Sequence, residues 1–175
     1  MLSFAPIGRT RMLTYQDLSA RYQAYQEAKS EYRCYLQQCI ARFATKFEAA
    51  LALPSPTWRD ANGVLHHYVE LGVVEDGQFV MVPAAKIEGD DRSIRFAVGL
   101  TLEARPGWLP KTHHVQEVVI RATQTSVEFN LVGDPTLTVG VVRDGSTEEF
   151  STVIGAMIVR IYASMDPDVF KARTL

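Results

Sequence analysis

The chain has 175 residues, 47 % apolar and 22 % charged, with a net charge of −2 and a sequence pI near 6.1. That length suits one domain with its own core, and that composition excludes a disordered or fibrous chain. The near-neutral total excludes a strongly basic polyanion binder, so nucleic acid is not expected as a partner. The charge is uneven: residues 1–53 hold seven Lys/Arg against four Asp/Glu, and the remainder holds eleven against sixteen. The simplest reading is that the basic first third and the acidic remainder attract each other.

In chain order, Met1 to Leu13 lacks the continuous apolar stretch of a signal peptide. The longest apolar window, Val153 to Val159, is far too short to span a membrane. A cytoplasmic protein with no membrane partner is expected.

A helical zone covers residues 14–53. Thr14 and Asp17 have capping-box spacing. Leu18, Tyr22, Tyr25, Tyr32, Leu36, Cys39 and Phe43 then recur at helical steps. Ile40, Phe47 and Leu51 widen the stripe. Leu53–Pro54–Ser55–Pro56 ends the helix, because proline removes a donor and disfavours helix before it. Unbroken, such a helix would be nearly 60 Å long at 1.5 Å per residue, against a radius of gyration of about 16 Å for a compact chain of this size. Either it breaks near Lys29–Ser30, or it projects and packs on something else. Cys34 and Cys39 point about 140° apart on this helix and are not expected to bridge. Without a disulfide framework, a reducing compartment follows.

Residues 64–142 read as an antiparallel sheet. Val64–Val74 and Gln78–Ile87 flank an Asp76–Gly77 hairpin turn. Ile94, Phe96, Val98, Leu100 and Leu102 alternate with Arg95, Ala97, Gly99, Thr101 and Glu103, which predicts one packed and one open face. Strands are further expected over residues 114–122, 127–131 and 137–142. Short links favour a meander of five or six strands. Arg105–Pro106–Gly107–Trp108–Leu109–Pro110 reads as a stiff loop, either a plug over the open end of the sheet or a binding tip. Trp58 is expected to plug the other end.

Ser146 and Glu149 have full capping-box spacing and predict a C-terminal helix over residues 147–165. Its apolar run, Phe150 to Tyr162, predicts burial on most of its circumference, with Gly155 allowing close approach to the sheet. The fold class is therefore α+β: a long N-terminal helix, an antiparallel meander, and a C-terminal helix packed on the sheet, in a single domain over 1–175. The N-terminal helix is expected at an end or edge of the sheet, or on a second copy.

No catalytic constellation stands out. There is no nucleophile elbow, P-loop, dinucleotide fingerprint or EF-hand. Neighbouring histidines in a strand face opposite ways, so His66–His67 and His113–His114 each offer one ring to any site. No metal and no cofactor are expected. Were the chain an enzyme, one of these histidines with Glu70 or Glu117 would be the first candidate pair. Asp91–Arg92–Ser93–Ile94–Arg95 is similar over five residues to the arginine motif of PilZ-type domains. Phe96 stands where that motif needs a glycine, and no family is assigned.

The expected function is a non-enzymatic protein-interaction module of the adaptor, chaperone, inhibitor or immunity-like kind. It is expected to act as a homodimer through the N-terminal helix, so its partner is itself or another protein. Tyr22, Tyr25 and Tyr32 on that helix, with Trp108 and Leu109 on the proline-flanked loop, are the candidate interaction residues, because Tyr and Trp combine large area with a polar tip. The alternative is a small apolar ligand held between the sheet and the C-terminal helix by Phe96, Val98, Phe129, Met157 and Ile161.

Overall fold

The structure, a computed structural model, describes residues 12–143, 145–146 and 148–171. The signal-peptide question therefore falls almost wholly outside the described residues, as does residue 147, where the sequence places the start of the C-terminal helix.

Helix α1 runs from Tyr15 to Ala50 without a break. Thr14 caps it in a reciprocal box: its hydroxyl accepts from the Asp17 N–H, and the Asp17 carboxylate accepts from the Thr14 N–H at 2.9 Å. Good helix formers continue through Lys29–Ser30, and no proline or glycine interrupts the ladder there. The helix stops just before Ala52, which takes a left-handed φ of 48° ahead of Pro54.

Eight strands follow: β1 (Thr57–Arg59), β2 (Leu65–His67), β3 (Val69–Glu75), β4 (Gln78–Met81), β5 (Ile94–Leu102), β6 (Thr112–Ala122), β7 (Ser126–Leu131) and β8 (Leu137–Val142). β1 and β2 form a small ribbon; the other six form one antiparallel sheet in the order β4-β3-β5-β6-β7-β8. Helix α2 (Ser151–Ala163) packs against the β8 side.

The sheet departs from strict meander order at one place, where β3 lies between β4 and β5. Pro83 ends β4 early, and a 3-10 turn over Ala84–Lys86 follows. Gln37 of α1 donates to the carbonyls of Ala85 and Ile87 at 3.2 and 3.0 Å. This tethered link carries the chain past β3 to its far side. The single strand expected over Val64–Val74 is also divided, at Tyr68. There the N–H goes to Pro56 O and the carbonyl accepts from Thr101 N, so the chain passes from ribbon to sheet.

The core corrects the expected place of α1. Its second half lies across the apolar face of the sheet, not at an end or edge. Leu36, Cys39, Ile40, Phe43 and Phe47 are buried against Phe96, Val98, Ile120 and Phe129. The Phe43 ring centroid lies 6.1 Å from Phe96, 5.1 Å from Phe129 and 5.9 Å from Phe150. Phe96, Val98, Phe129 and Met157, expected to line an apolar ligand cavity, are buried in the same core cluster as Phe43. Ile161 packs at the margin.

Helix α2 begins one turn later than expected. Phe150, not Ser146, holds the cap position, with no side-chain cap. Phe150 is drawn into the aromatic cluster, and the Glu149 carboxylate turns to Arg42 at 3.3 Å. Burial on most of the α2 circumference is also corrected: Val153, Ile154 and Met157 are buried, but Val159 and Tyr162 are exposed. Gly155 makes no close approach, since a methyl group built there would meet nothing within 4 Å.

The other face of the sheet is partly covered instead of open. Ala97 and Thr101 are buried. Phe79 and His113 lie on the same face, at Gly99 between Ala97 and Thr101. His113 sits on Gly99, where a Cβ would come within 2.3 Å of its Nε2. Trp58 lies at the same end of the sheet as the Trp108 loop, not at the other end as expected. It stacks on His66 at 4.7 Å, and its ring receives the Lys111 ammonium at 4.9 Å.

Candidate interaction site

The two halves of α1 differ in surroundings. From Tyr15 to Ala28 every residue is exposed except Asp17. That overhang is about 20 Å long at 1.5 Å per residue. Lys29 and Tyr32 make the first contacts with the body. The Tyr32 hydroxyl donates to Arg92 O at 2.8 Å and accepts from Ala122 N at 2.9 Å. The Lys29 ammonium pairs with Asp91, which holds the Asp91 carboxyl below the ordinary carboxylate range and raises the Lys29 pKa. These bonds pin the helix to the turns that precede β5 and follow β6.

Tyr22 and Tyr25 project from the overhang with 65 % and 53 % of their surface in solvent, and Leu18 with 59 %. Their spacing of three and four residues continues the stripe that Leu36, Ile40, Phe43 and Phe47 bury further along. The same helix face therefore leaves the sheet and remains apolar. Where it leaves, an open groove of about 590 Å³ is lined by Tyr25, Lys29, Tyr32, Arg92, Gln124 and Arg143 among others. Arg143 lies over the Tyr35 ring at 4.3 Å.

Trp108 and Leu109 belong to a different end of the molecule. Their loop joins Leu102 to Thr112, whereas the tyrosines meet the sheet at Arg92 and Ala122. Eight residue steps along β5 separate the two ends by about 26 Å. Trp108 is 54 % exposed and Leu109 45 %, so the loop does not plug the sheet. The Arg105 guanidinium covers the Trp108 ring at 4.5 Å. Tyr22, Tyr25 and Tyr32 thus form one surface, and Trp108 with Leu109 a separate one.

The histidine–carboxylate pairing is partly met. His113 Nε2 lies 3.7 Å from Glu70 Oε2 across Gly99, which β3 and β6 flank on either side. Glu117 instead accepts from Arg95 at 3.2 Å, and His66 faces Asp60 at 3.2 Å. Among the described residues no group of three or more His, Cys, Asp or Glu is placed to hold a metal ion, and no helix is long and apolar enough to cross a membrane.

One cluster escaped sequence reasoning. Lys111, whose side chain is only 5 % exposed, pairs with Glu103 across the base of the tryptophan loop and lies between the Trp58 and Tyr68 rings. The Lys111 hydrogen bond keeps the Glu103 carboxyl below its ordinary range, and Glu103 raises the Lys111 pKa. The eight-residue gap between Glu103 and Lys111 offered no periodic signal. No known protein-family model matches the chain, and comparison with curated proteins and with solved structures likewise yields no match.

Proposed function

We propose that this chain is a non-enzymatic protein-interaction module that dimerises through the exposed half of α1. The observation that carries this reading is the apolar stripe of Leu18, Tyr22 and Tyr25 running beyond the sheet that buries its continuation. A helical segment of about 12–15 residues is marginal in water without packing, so the overhang gains from a partner. The occupant proposed is the overhang of a second copy, in an isologous contact. Tyr15, Leu18, Tyr22 and Tyr25 would bury on the order of 500 Å² per copy, given 150–250 Å² for a whole aromatic side chain. The pair then reaches about 1,000 Å², the size at which specific interfaces begin.

The two cysteines are free, Cys34 exposed and Cys39 buried, which favours a reducing compartment such as the cytoplasm. The test is sedimentation velocity over a concentration series, with wild type beside Tyr22→Glu. A wild-type dimer and a folded monomeric variant support the reading. A wild type that stays monomeric, or a variant that stays dimeric, removes it.

A further inference from the structure

We propose that the groove at the root of the overhang docks an acidic, extended peptide segment of another protein, with its carboxylates on Arg92 and Arg143. The groove lies between α1 and the turns after β6 and β8. Of its charged side chains, Lys29 and Asp91 neutralise each other. Arg92 and Arg143 are exposed and make no ion pair among the described residues. The Arg143 guanidinium is stacked on Tyr35 at 4.3 Å, and the Arg92 backbone, though not its side chain, is fixed by the Tyr32 hydroxyl at 2.8 Å. Stacking leaves the edge of a guanidinium free to donate two parallel hydrogen bonds to a carboxylate.

A second open groove, of about 440 Å³, shares Arg143 and is lined further along by Arg42, which pairs with Glu149 at 3.3 Å, and by Lys46, whose ammonium donates to Ser146 O at 3.2 Å. The two grooves together follow one flank of α1 from Lys29 to Lys46, about 25 Å at 1.5 Å per residue. That length matches roughly seven or eight extended residues at 3.3 Å each.

Charge complementarity selects the occupant. The first groove is net positive over its described lining, with Arg92 and Arg143 beside the Tyr25 and Tyr32 rings, so it fits an extended segment whose alternate residues, all facing one way, are Asp or Glu. A polynucleotide is disfavoured because binding a polyphosphate draws on a run of uncompensated Lys and Arg, and in this groove Lys29 is paired with Asp91, which leaves Arg92 and Arg143. The proposal extends the interaction reading without resting on the dimer, since Arg92 and Arg143 lie off the Leu18–Tyr22–Tyr25 stripe and only Tyr25 is common to both sites.

The test uses the full chain and a fluorescein-labelled peptide of alternating Glu and Leu, read by fluorescence polarisation at low and high salt. Arg92→Glu/Arg143→Glu is expected to weaken binding by at least about 10-fold, with an unchanged melting temperature and an unchanged sedimentation coefficient. Arg92→Lys/Arg143→Lys is expected to retain most of it. Binding should fall as salt rises. No binding of the Glu–Leu peptide at low salt overturns the proposal. So does equal binding by the charge-reversed variant, equal binding of a Lys–Leu peptide, or tighter binding of an oligothymidylate. Peptide binding by a monomeric wild type would remove the dimer and leave this site standing.

Discussion

The two halves of α1 carry the same pattern and meet opposite fates. Between Leu36 and Phe47 the stripe is aliphatic and phenylalanine-rich, and the sheet buries all of it. Between Tyr15 and Ala28 the same face carries Leu18, Tyr22 and Tyr25, and none of the described residues covers it. The side chains suit the difference. Phenylalanine has no polar group to satisfy, so it fits a dry core. Tyrosine keeps a hydroxyl for water or for a partner, so it tolerates both states. Tyr32 stands at the boundary and shows the change, because its ring packs on the core while its hydroxyl bonds the backbone of Arg92 and Ala122.

The comparison can be broken most forcefully at Phe43. Phe43→Ala empties the centre of the aromatic cluster and should cost about 3–5 kcal/mol of stability; urea unfolding reads it. Tyr22→Ala should change stability of the dilute monomer by less than about 0.5 kcal/mol, yet weaken self-association about 30-fold, a hot-spot loss near 2 kcal/mol. A Tyr22→Ala variant that unfolds as readily as the Phe43 variant would erase the distinction between the halves. Gly155→Ala sharpens the account of α2. Its missing side chain faces open space, so alanine should stabilise by up to about 1 kcal/mol; a loss in thermal melting would show a contact that the fold does not contain.

The smallest effect expected is at the far end of the sheet, at Glu103. Its carboxyl is held below the ordinary range by Lys111. A depressed acid contributes stability that is complete above its unfolded-state pKa and lost as pH falls through the native value. Glu103→Gln should therefore be less stable than wild type at neutral pH, with the gap closing in acid as wild-type Glu103 becomes protonated. Urea midpoints across acid to neutral pH check the sign. A gap that widens in acid would contradict the pairing.

Much of the fold was legible because its signals are periodic. The capping box at Thr14, the helical stripe and the alternation from Ile94 to Leu102 each encode one element locally. The length conflict of the helix was legible too, as the choice between a break and an overhang. What stayed hidden depends on contacts far apart in sequence. Nothing local says that Phe150 joins Phe43 and Phe129, so the α2 cap was misplaced. Nothing local says that β5 skips β4 to pair with β3. The candidate residues could be named one by one, but not that the tyrosines and Trp108 lie at opposite ends of the sheet. Strand order decides that, and the Arg92–Arg143 groove needs it as well.

Hydrogen exchange along α1, followed at high and low protein concentration, tests the central claim most directly. If the overhang pairs with a second copy, amides of residues 18–28 should be protected nearly as well as those of residues 36–47 at high concentration and should lose that protection on dilution. Fast exchange of residues 18–28 at every concentration, beside a protected second half, would contradict self-pairing through this helix.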